Sequence, residues 1–294
     1  MTTKARILAD SLNPFNNKRL TTFQVEFPRI ILAELNTHRT LSRNFSSSRA
    51  IPFKAIKEQL QREYFIPSYW GLNKSGMQAE ETLSEINKQF AEKYWRDAFN
   101  SSLHFTEVLA EEYKVHKQLA NRLLEPFTYV KGVVSATEWD NFFHLRAHKD
   151  AQPEIQELAY LMKEEIEKSI PITVKENQWH IPWFDYIEDD KYSLAEVDRI
   201  YDRETACMIS ASLAAQVSYR KEDFSVDRAI SIYERLAGSE PKHFSPFEHI
   251  AKPLQDKIET GVTHKLLDGT LCSGNFVGWN QYRHFKFDLP LNND

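Results

Sequence analysis

Glycine occurs only 8 times in 294 residues, and no stretch reads GxGxxG or GxxxxGK followed by Ser or Thr. Glycine is what lets a backbone pass close to phosphates. If a dinucleotide binds this chain, it is therefore held neither by a Rossmann turn nor by a P-loop. Strand and helix signals do not alternate over long stretches either. This favours an α+β fold with a small antiparallel or mixed sheet flanked by long helices over a doubly wound sheet.

The strand signals are few. Arg6 to Ala9 reads as a short strand, Leu20 to Phe27 as a half-buried one, and Thr128 to Ala136 as a third. Pro28 suits the start of a helix running from Ile30 to Leu41. Further helices are expected at Phe53–Tyr64, across Gln78–Val115 as one long helix or two, and at His116–Leu124 before Pro126. More follow at Pro153–Ser169, Leu194–Tyr219 and Ser225–Ala237, with a short one at EWDNFFHLR (138–146). Residues 66–77 read as a loop, and the tail as irregular with a hairpin. The proline- and aromatic-rich stretch at 170–193 reads as a long surface connection. A single domain over 1–294 is expected, divided into 1–170, a connection at 171–193, and 194–294.

Composition excludes several classes. With 41% hydrophobic and 27% charged residues the chain can fill a core. A net charge of −5 gives no general attraction for nucleic acid, so any bound anion needs a local cluster of arginines. Cys207 and Cys272 sit in no metal-ligand spacing, which predicts no metal site. No window approaches the ~20 apolar residues of a membrane span, and the N-terminus has no leader-like apolar run. The expectation is a cytoplasmic protein without membrane contact.

Residues 37–49, THRTLSRNFSSSR, concentrate hydrogen-bonding groups: three arginines, a histidine, an asparagine, two threonines and four serines. Guanidinium binds phosphate through two parallel hydrogen bonds. On a helix, Arg39 and Arg43 share a face at i, i+4, where like charges repel by a few tenths of a kcal/mol unless an anion sits between them. Two side chains that simply point to water meet the same spacing. Ser46, Ser47 and Ser48 before Arg49 can form an anion nest, or an ordinary serine loop. In WDNFFHLR (139–146), Asn141 and Leu145 are i and i+4, which a core helix explains without a ligand. Arg146 follows that apolar set, and a desolvated arginine needs a partner. SPFEH (245–249) has capping-box spacing, with Ser245 as N-cap and Glu248 three residues on. Cys207 reads as a small buried hydrophobe. Trp179 and Trp183 of WHIPW read as a loop anchor or a stacking lid.

Taken together these stretches resemble the flavin-dependent thymidylate synthases, the ThyX family. Its mark is RHRxxSxNExSxR, and the chain keeps His38, Arg39, Ser42, Asn44, Ser47 and Arg49 of it. It departs at Thr37 for the first Arg, Phe45 for the Glu, and Ser48 for a usual Gly. NFFHLRAHKDAQPEI (141–155) resembles a second family stretch. NRLLEP resembles a third and supplies Arg122. QVSYRKED (216–223) with SPFEH resembles a fourth. In the family that fourth stretch precedes the RHR-type motif; here it follows everything else, as in a circularly permuted chain of the phage-encoded type.

The resemblance implies methylation of dUMP at C5, with methylenetetrahydrofolate as carbon donor, reduced FAD as hydride source and NADPH as reductant. It implies a homotetramer with sites between subunits and no protein nucleophile. By its motifs, Arg146 holds and polarises the pyrimidine. Ser47, Ser48, Arg49 and Arg122 take the 5′-phosphate, and Glu34 lies near the nucleotide. His38, Arg39, Asn44, Asn141, Leu145, Ser245, Glu248 and His249 line the FAD. The departures at Thr37 and Phe45 leave open a different C5-modified pyrimidine nucleotide, such as a 5-hydroxymethyl or dCMP product. A catalytically inactive flavin- or nucleotide-binding homologue, and a folate enzyme with Cys272 as nucleophile, also stay open.

Overall fold

The computed structural model describes residues 2–76, 79, 81–187, 190–195, 199–218, 225–240, 243–255, 264–265, 271–272 and 274–287, with backbone only at 218, 264–265 and 271–272. Tyr219–Asp223 of the VSY stretch, Gln78, and the side chain of Cys272 lie outside the described residues.

The first half builds the scaffold. Its elements are β1 (Lys4–Leu12), β2 (Arg19–Pro28), a 3₁₀ turn at Arg29–Ile31, α1 (Leu32–Asn36) and β3 (Ser42–Phe45). Then come α2 (Phe53–Arg62), α3 (Glu85–Glu107) with a π-turn at Val108–Glu112, α4 (Lys117–Ala120) and a 3₁₀ segment at Asn121–Phe127. β4 (Tyr129–Ala136), α5 (Asp140–Arg146), α6 (Pro153–Lys168) and β5 (Ile172–Thr173) follow. The five strands form one sheet in the order β3-β4-β2-β1-β5, antiparallel except for the β1–β5 pair. The fold is α+β with a small mixed sheet, as expected.

β2 is central, so both of its faces are covered. On one face Phe23, Val25 and Phe27 meet Val130 and Val134 of β4 and the α6 stripe Ile155, Leu158, Ala159 and Met162. That i, i+3, i+4, i+7 spacing is what commits α6 to helix. Pro153 opens it and Gln152 precedes it. On this face Phe45 lies edge-on to Phe27 at 5.6 Å between ring centres. Gly132 makes room for it: a Cβ there would come within 2.0 Å of the Phe45 ring.

The second half covers the other face. Its elements are β6 (Phe184–Tyr186), β7 (Lys191–Leu194), β8 (Arg199–Asp202), α7 (Arg203–Ala215), α8 (Val226–Gly238) and a 3₁₀ turn at Ser245–Glu248. β9 (Ala251–Pro253), β10 (His264–Lys265), β11 (Leu271–Cys272), β12 (Trp279–Gln281) and α9 (Tyr282–Lys286) complete it. α7 is buried nearly all round, and its small residues Ala206, Cys207, Ala211 and Ala214 pack with Val133, Ile181 and Trp183. Cys207 is thus a small core residue, and burial pushes its thiol far above the ordinary range. Asp202 and Ser225 cap α7 and α8 by accepting from the Thr205 and Arg228 amides.

Four expectations fail locally. The helix expected over Ile30–Leu41 ends at Asn36, because Arg43 Nη1 folds back to the carbonyls of His38 and Leu41 and fixes a turn there. The helix expected over Leu194–Tyr219 begins only at Arg203, since β7 and β8 pair with β6 into a three-stranded sheet. The stretch at 170–193 is not a surface connection: Val174, Gln178, His180, Ile181, Trp183 and Phe184 are buried. Trp183 is accordingly a core anchor, not a lid. Helix α4 stops at Ala120 and the chain goes on as 3₁₀ through Pro126, with Leu124 and Phe127 packed on α2 and α3.

Candidate functional site

The candidate residues gather in three groups along the edge strand β3. At its start, His38 is buried and lies edge-on to Phe142 of α5 at 5.0 Å. Arg146, at the end of the same helix, donates from Nε to His38 Nε2 at 3.0 Å. Burial, then the charges of Arg146 and Arg43, hold the imidazole below its ordinary pKa. His38 is therefore neutral at pH 7, and an accepting Nε2 places its proton on Nδ1. The terminal nitrogens of Arg146 have no partner among the described residues. Asn141 and Leu145 share the outer face of α5, and Leu145 is 49% exposed, so the reading of Leu145 as a core residue fails. Arg39 is exposed in the turn and Arg43 lies in β3, so the shared helical face expected of them does not exist.

At the far end of β3 the serine run turns onto the 3₁₀ segment. Ser46 is tied to β4 through its amide, which donates to the Lys131 carbonyl at 2.7 Å. Ser48 Oγ donates to Glu125 Oε1 at 2.5 Å, and Arg122 Nη1 donates to the same oxygen at 2.8 Å. Asn121 Nδ2 holds the carbonyls of Ser48 and Ile51. The loop carrying Ser47 and Arg49 is thus fastened to the carboxylate that positions Arg122. Arg29 backs this group, donating to Thr128 Oγ1 and to the Ser46 carbonyl, both at 3.1 Å. Arg122 and Arg29 both act on the Glu125 carboxylate, and exposed Arg49 lies on the loop fastened to it, so the group is net positive and Arg49 and Arg122 are exposed to an anion. Arg29 lies in no quoted motif, and Asn121 and Glu125 flank Arg122 within NRLLEP but were not singled out; their closeness in the fold reveals their part.

SPFEH packs against β3 from the other side. Ser245 does not cap its turn. Its Oγ donates to Asn44 Oδ1 at 3.4 Å, while Asn44 Nδ2 donates to the Ala214 carbonyl at 2.5 Å. The expected capping box is therefore absent: Glu248 instead pairs with Arg283 at 2.5 Å and accepts from Ser42. Burial raises the Glu248 carboxyl against the pull of Arg283, Ser42 and Arg43. Ser42 Oγ in turn accepts from Gln281 Nε2 at 2.9 Å and Asn275 Nδ2 at 3.0 Å. His249 is fully buried, with Nδ1 on Ser135 Oγ at 2.8 Å and no partner at Nε2 among the described residues. A cleft of about 390 Å³ opens between Asn44, Ser245, His243 and Arg235. A larger one, about 820 Å³, lies between Trp70, Trp95 and the start of α6 and holds none of the expected site residues.

Arg146 and Arg49 thus stand at opposite ends of β3, whose four residues span roughly 13 Å. Glu34 lies half-buried on α1, with one carboxylate oxygen buried and unpartnered among the described residues. Among the described residues no group of three or more His, Cys, Asp or Glu is placed to hold a metal ion. No described helix is long and apolar enough to cross a membrane.

No curated protein sequence matches the chain significantly. Among solved structures it is similar to a UMP/dUMP methylase, PolB from Streptomyces cacaoi, bound with 5-Br dUMP. That likeness has 17% identity over 56% of this chain and 90% of the other, with a TM-score of 0.46. It is also similar to the flavin-dependent thymidylate synthase ThyX from Helicobacter pylori complexed with FAD and dUMP, at 23% identity over 50% of this chain and 67% of the other, TM-score 0.34. Residues 15–172 match the family described as thymidylate synthase complementing protein, Thy1. That match spans more than half of the chain, which therefore belongs to the thymidylate synthase complementing protein (ThyX) family.

Proposed function

We propose that the chain methylates dUMP at C5 to dTMP, taking the carbon from methylenetetrahydrofolate. When bound, FAD supplies the two electrons that turn a methylene into a methyl group, and NADPH restores them. The observation that carries this reading is Arg146. It is half-buried, held through Nε by a neutral histidine, with its terminal fork free to take a planar acceptor. Beside a pyrimidine carbonyl, that fork would stabilise enolate-like negative charge on the carbonyl oxygen, the form of the ring in which C5 is nucleophilic.

The other residues divide the ligand among them. Ser47, Arg49 and Arg122 bind the 5′-phosphate. The Ser48 hydroxyl is engaged by Glu125, so only its backbone amide is available to help. Glu34 lies toward the nucleotide. His38, Arg39, Asn44, Asn141, Leu145, Ser245, Glu248 and His249 line the flavin. The unpartnered Nε2 of His249 and the open amide and leucine on α5 suit a large ring system with polar edges. One chain separates its two arginine groups by the length of β3, which favours a homotetramer in which the phosphate group of one subunit completes the pyrimidine group of another. The exposed Ile86, Phe90, Tyr94 and Phe105 of α3 supply apolar surface for such an assembly.

A second reading has its own support. Phe45, where the family has a carboxylate, lies in the apolar layer against Phe27, and Thr37 donates back to the Glu34 carbonyl. Both charges that the family places here are gone. Such a pocket suits a different product, 5-hydroxymethyl-dUMP or a dCMP derivative. Tritium release from 5-³H-dUMP against 5-³H-dCMP decides the base, and the product mass decides methyl against hydroxymethyl. Flavin bound without turnover on either base would mark an inactive homologue.

A further inference from the structure

The sheet face that meets α7 is interrupted by a row of polar side chains. Ser11 on β1, Thr22 on β2 and Ser135 on β4 are all fully buried there, with Thr22 and Ser135 directly paired. His180, also fully buried, lies across the row with both ring nitrogens engaged: Nδ1 to Ser11 Oγ at 2.8 Å and Nε2 to Thr22 Oγ1 at 2.7 Å. Ser11 Oγ meets the Tyr186 hydroxyl at 2.6 Å, Thr22 Oγ1 meets Ser135 Oγ at 2.6 Å, and Ser135 meets His249 Nδ1 at 2.8 Å. Six side chains form five hydrogen bonds in unbroken series.

Each bond needs one hydrogen, and four hydroxyls with two neutral imidazoles carry six. Both imidazoles are neutral because burial drives their pKa to about 3. One hydrogen is left over; on an interior hydroxyl that accepted from both neighbours it would be a buried O–H without a partner, so it stands at an end. If Tyr186 donates to Ser11, each group donates onward and the spare hydrogen stands on His249 Nε2. If the order reverses, His249 donates from Nδ1 and the spare hydrogen stands on Tyr186. The phenol is the most acidic of the four hydroxyls and so the best donor within the series. Its hydroxyl has no second partner among the described residues, so the reversed order strands it. The forward order strands only the His249 N–H, beside the segment that faces a ligand.

We propose that this series fixes His249 as a hydrogen-bond donor through Nε2 to a carbonyl oxygen of the bound ring system. Tyr186, Ser11, His180, Thr22 and Ser135 are its positioning residues. The ligand end of the inference rests on the flavin reading of Ser245–His249; the tautomer does not. Ring ¹⁵N shifts of the histidine-labelled full-length protein test it, with assignment by His249→Gln and His180→Gln. The expected result is a neutral Nε2–H tautomer at His249 in the wild type and in Thr22→Ser, and a mixture of tautomers in Thr22→Val. FAD binding should weaken about fivefold in Thr22→Val only, the effect of one neutral hydrogen bond. Ser135→Ala cuts the series beside His249 and is read the same way if Thr22→Val does not fold. A His249 that is Nδ1–H or charged in the wild type, or that keeps one tautomer in the cut variants, overturns the proposal. A folded wild type that takes up no FAD refutes the flavin reading instead, and the tautomer comparison still decides the series.

Discussion

Acid should unfold this protein earlier than its carboxylates alone require, through His180 and His249. Both are fully buried, and both have pKa values driven by burial from the ordinary 6.5 to about 3. The unfolded chain takes up their protons as pH falls through 6.5, while the folded protein refuses them until about 3. Their stabilising effect is therefore complete above the unfolded value and shrinks as pH drops. Each contributes a slope of about 1.4 kcal/mol per pH unit in that window, so moving from pH 7 to pH 5 removes about 2 kcal/mol per histidine, about 4 in all. That is a large share of the ~5–15 kcal/mol a folded protein holds. His38, lowered by burial and by Arg146 and Arg43, acts in the same direction, and Glu248, raised by burial, opposes it. Urea unfolding followed by tryptophan fluorescence at pH 7, 6 and 5 measures the loss. His180→Gln should roughly halve it. Equal stability at pH 7 and pH 5, or a slope that His180→Gln leaves untouched, would refute the reasoning.

Other consequences are as concrete. Gly132→Ala forces a Cβ within 2.0 and 2.4 Å of the Phe45 ring and should cost about 1–3 kcal/mol, read as a lowered Tm. Arg122→Ala removes one charged phosphate contact. It should weaken dUMP binding roughly ten- to a hundredfold by calorimetry and leave FAD affinity unchanged. Cys272→Ala should leave turnover intact in a steady-state assay, because the proposed chemistry uses no thiolate. Arg146→Ala should lower turnover about a hundredfold while FAD stays bound, by absorbance and activity on the same sample.

What the residues revealed on their own follows from how local each cause is. β2, β4, α6 and α8 were legible because burial on a fixed face writes a period into the chain, as at Ile155, Leu158, Ala159 and Met162. The end of α1 was not, because it depends on Arg43 reaching back to two carbonyls. β7 was read as part of the surface connection and β8 as helix, because both strands are short and are set by pairing with each other and with β6. The 170–193 stretch misled for another reason: its prolines suggested surface, while Ile181, Trp183 and Phe184 supply core. In the site, the arginines and SPFEH stood out as motifs. Arg29 and Arg283 did not, since a single charged residue has no pattern until the fold supplies its partner, and Glu125 lay within NRLLEP without its bonds to Ser48 and Arg122 being readable there. The row from Tyr186 to His249 was invisible, being six ordinary residues from six places in the chain.

The central claim is that Arg146 acts on the C5 chemistry of a pyrimidine nucleotide beside a flavin. Tritium release from 5-³H-dUMP, with FAD, NADPH and methylenetetrahydrofolate, tests it most directly. The account predicts release by the wild type and almost none by flavin-loaded Arg146→Ala. Release that persists in that variant, or a folded, flavin-loaded wild type that labilises tritium from neither dUMP nor dCMP, would contradict it.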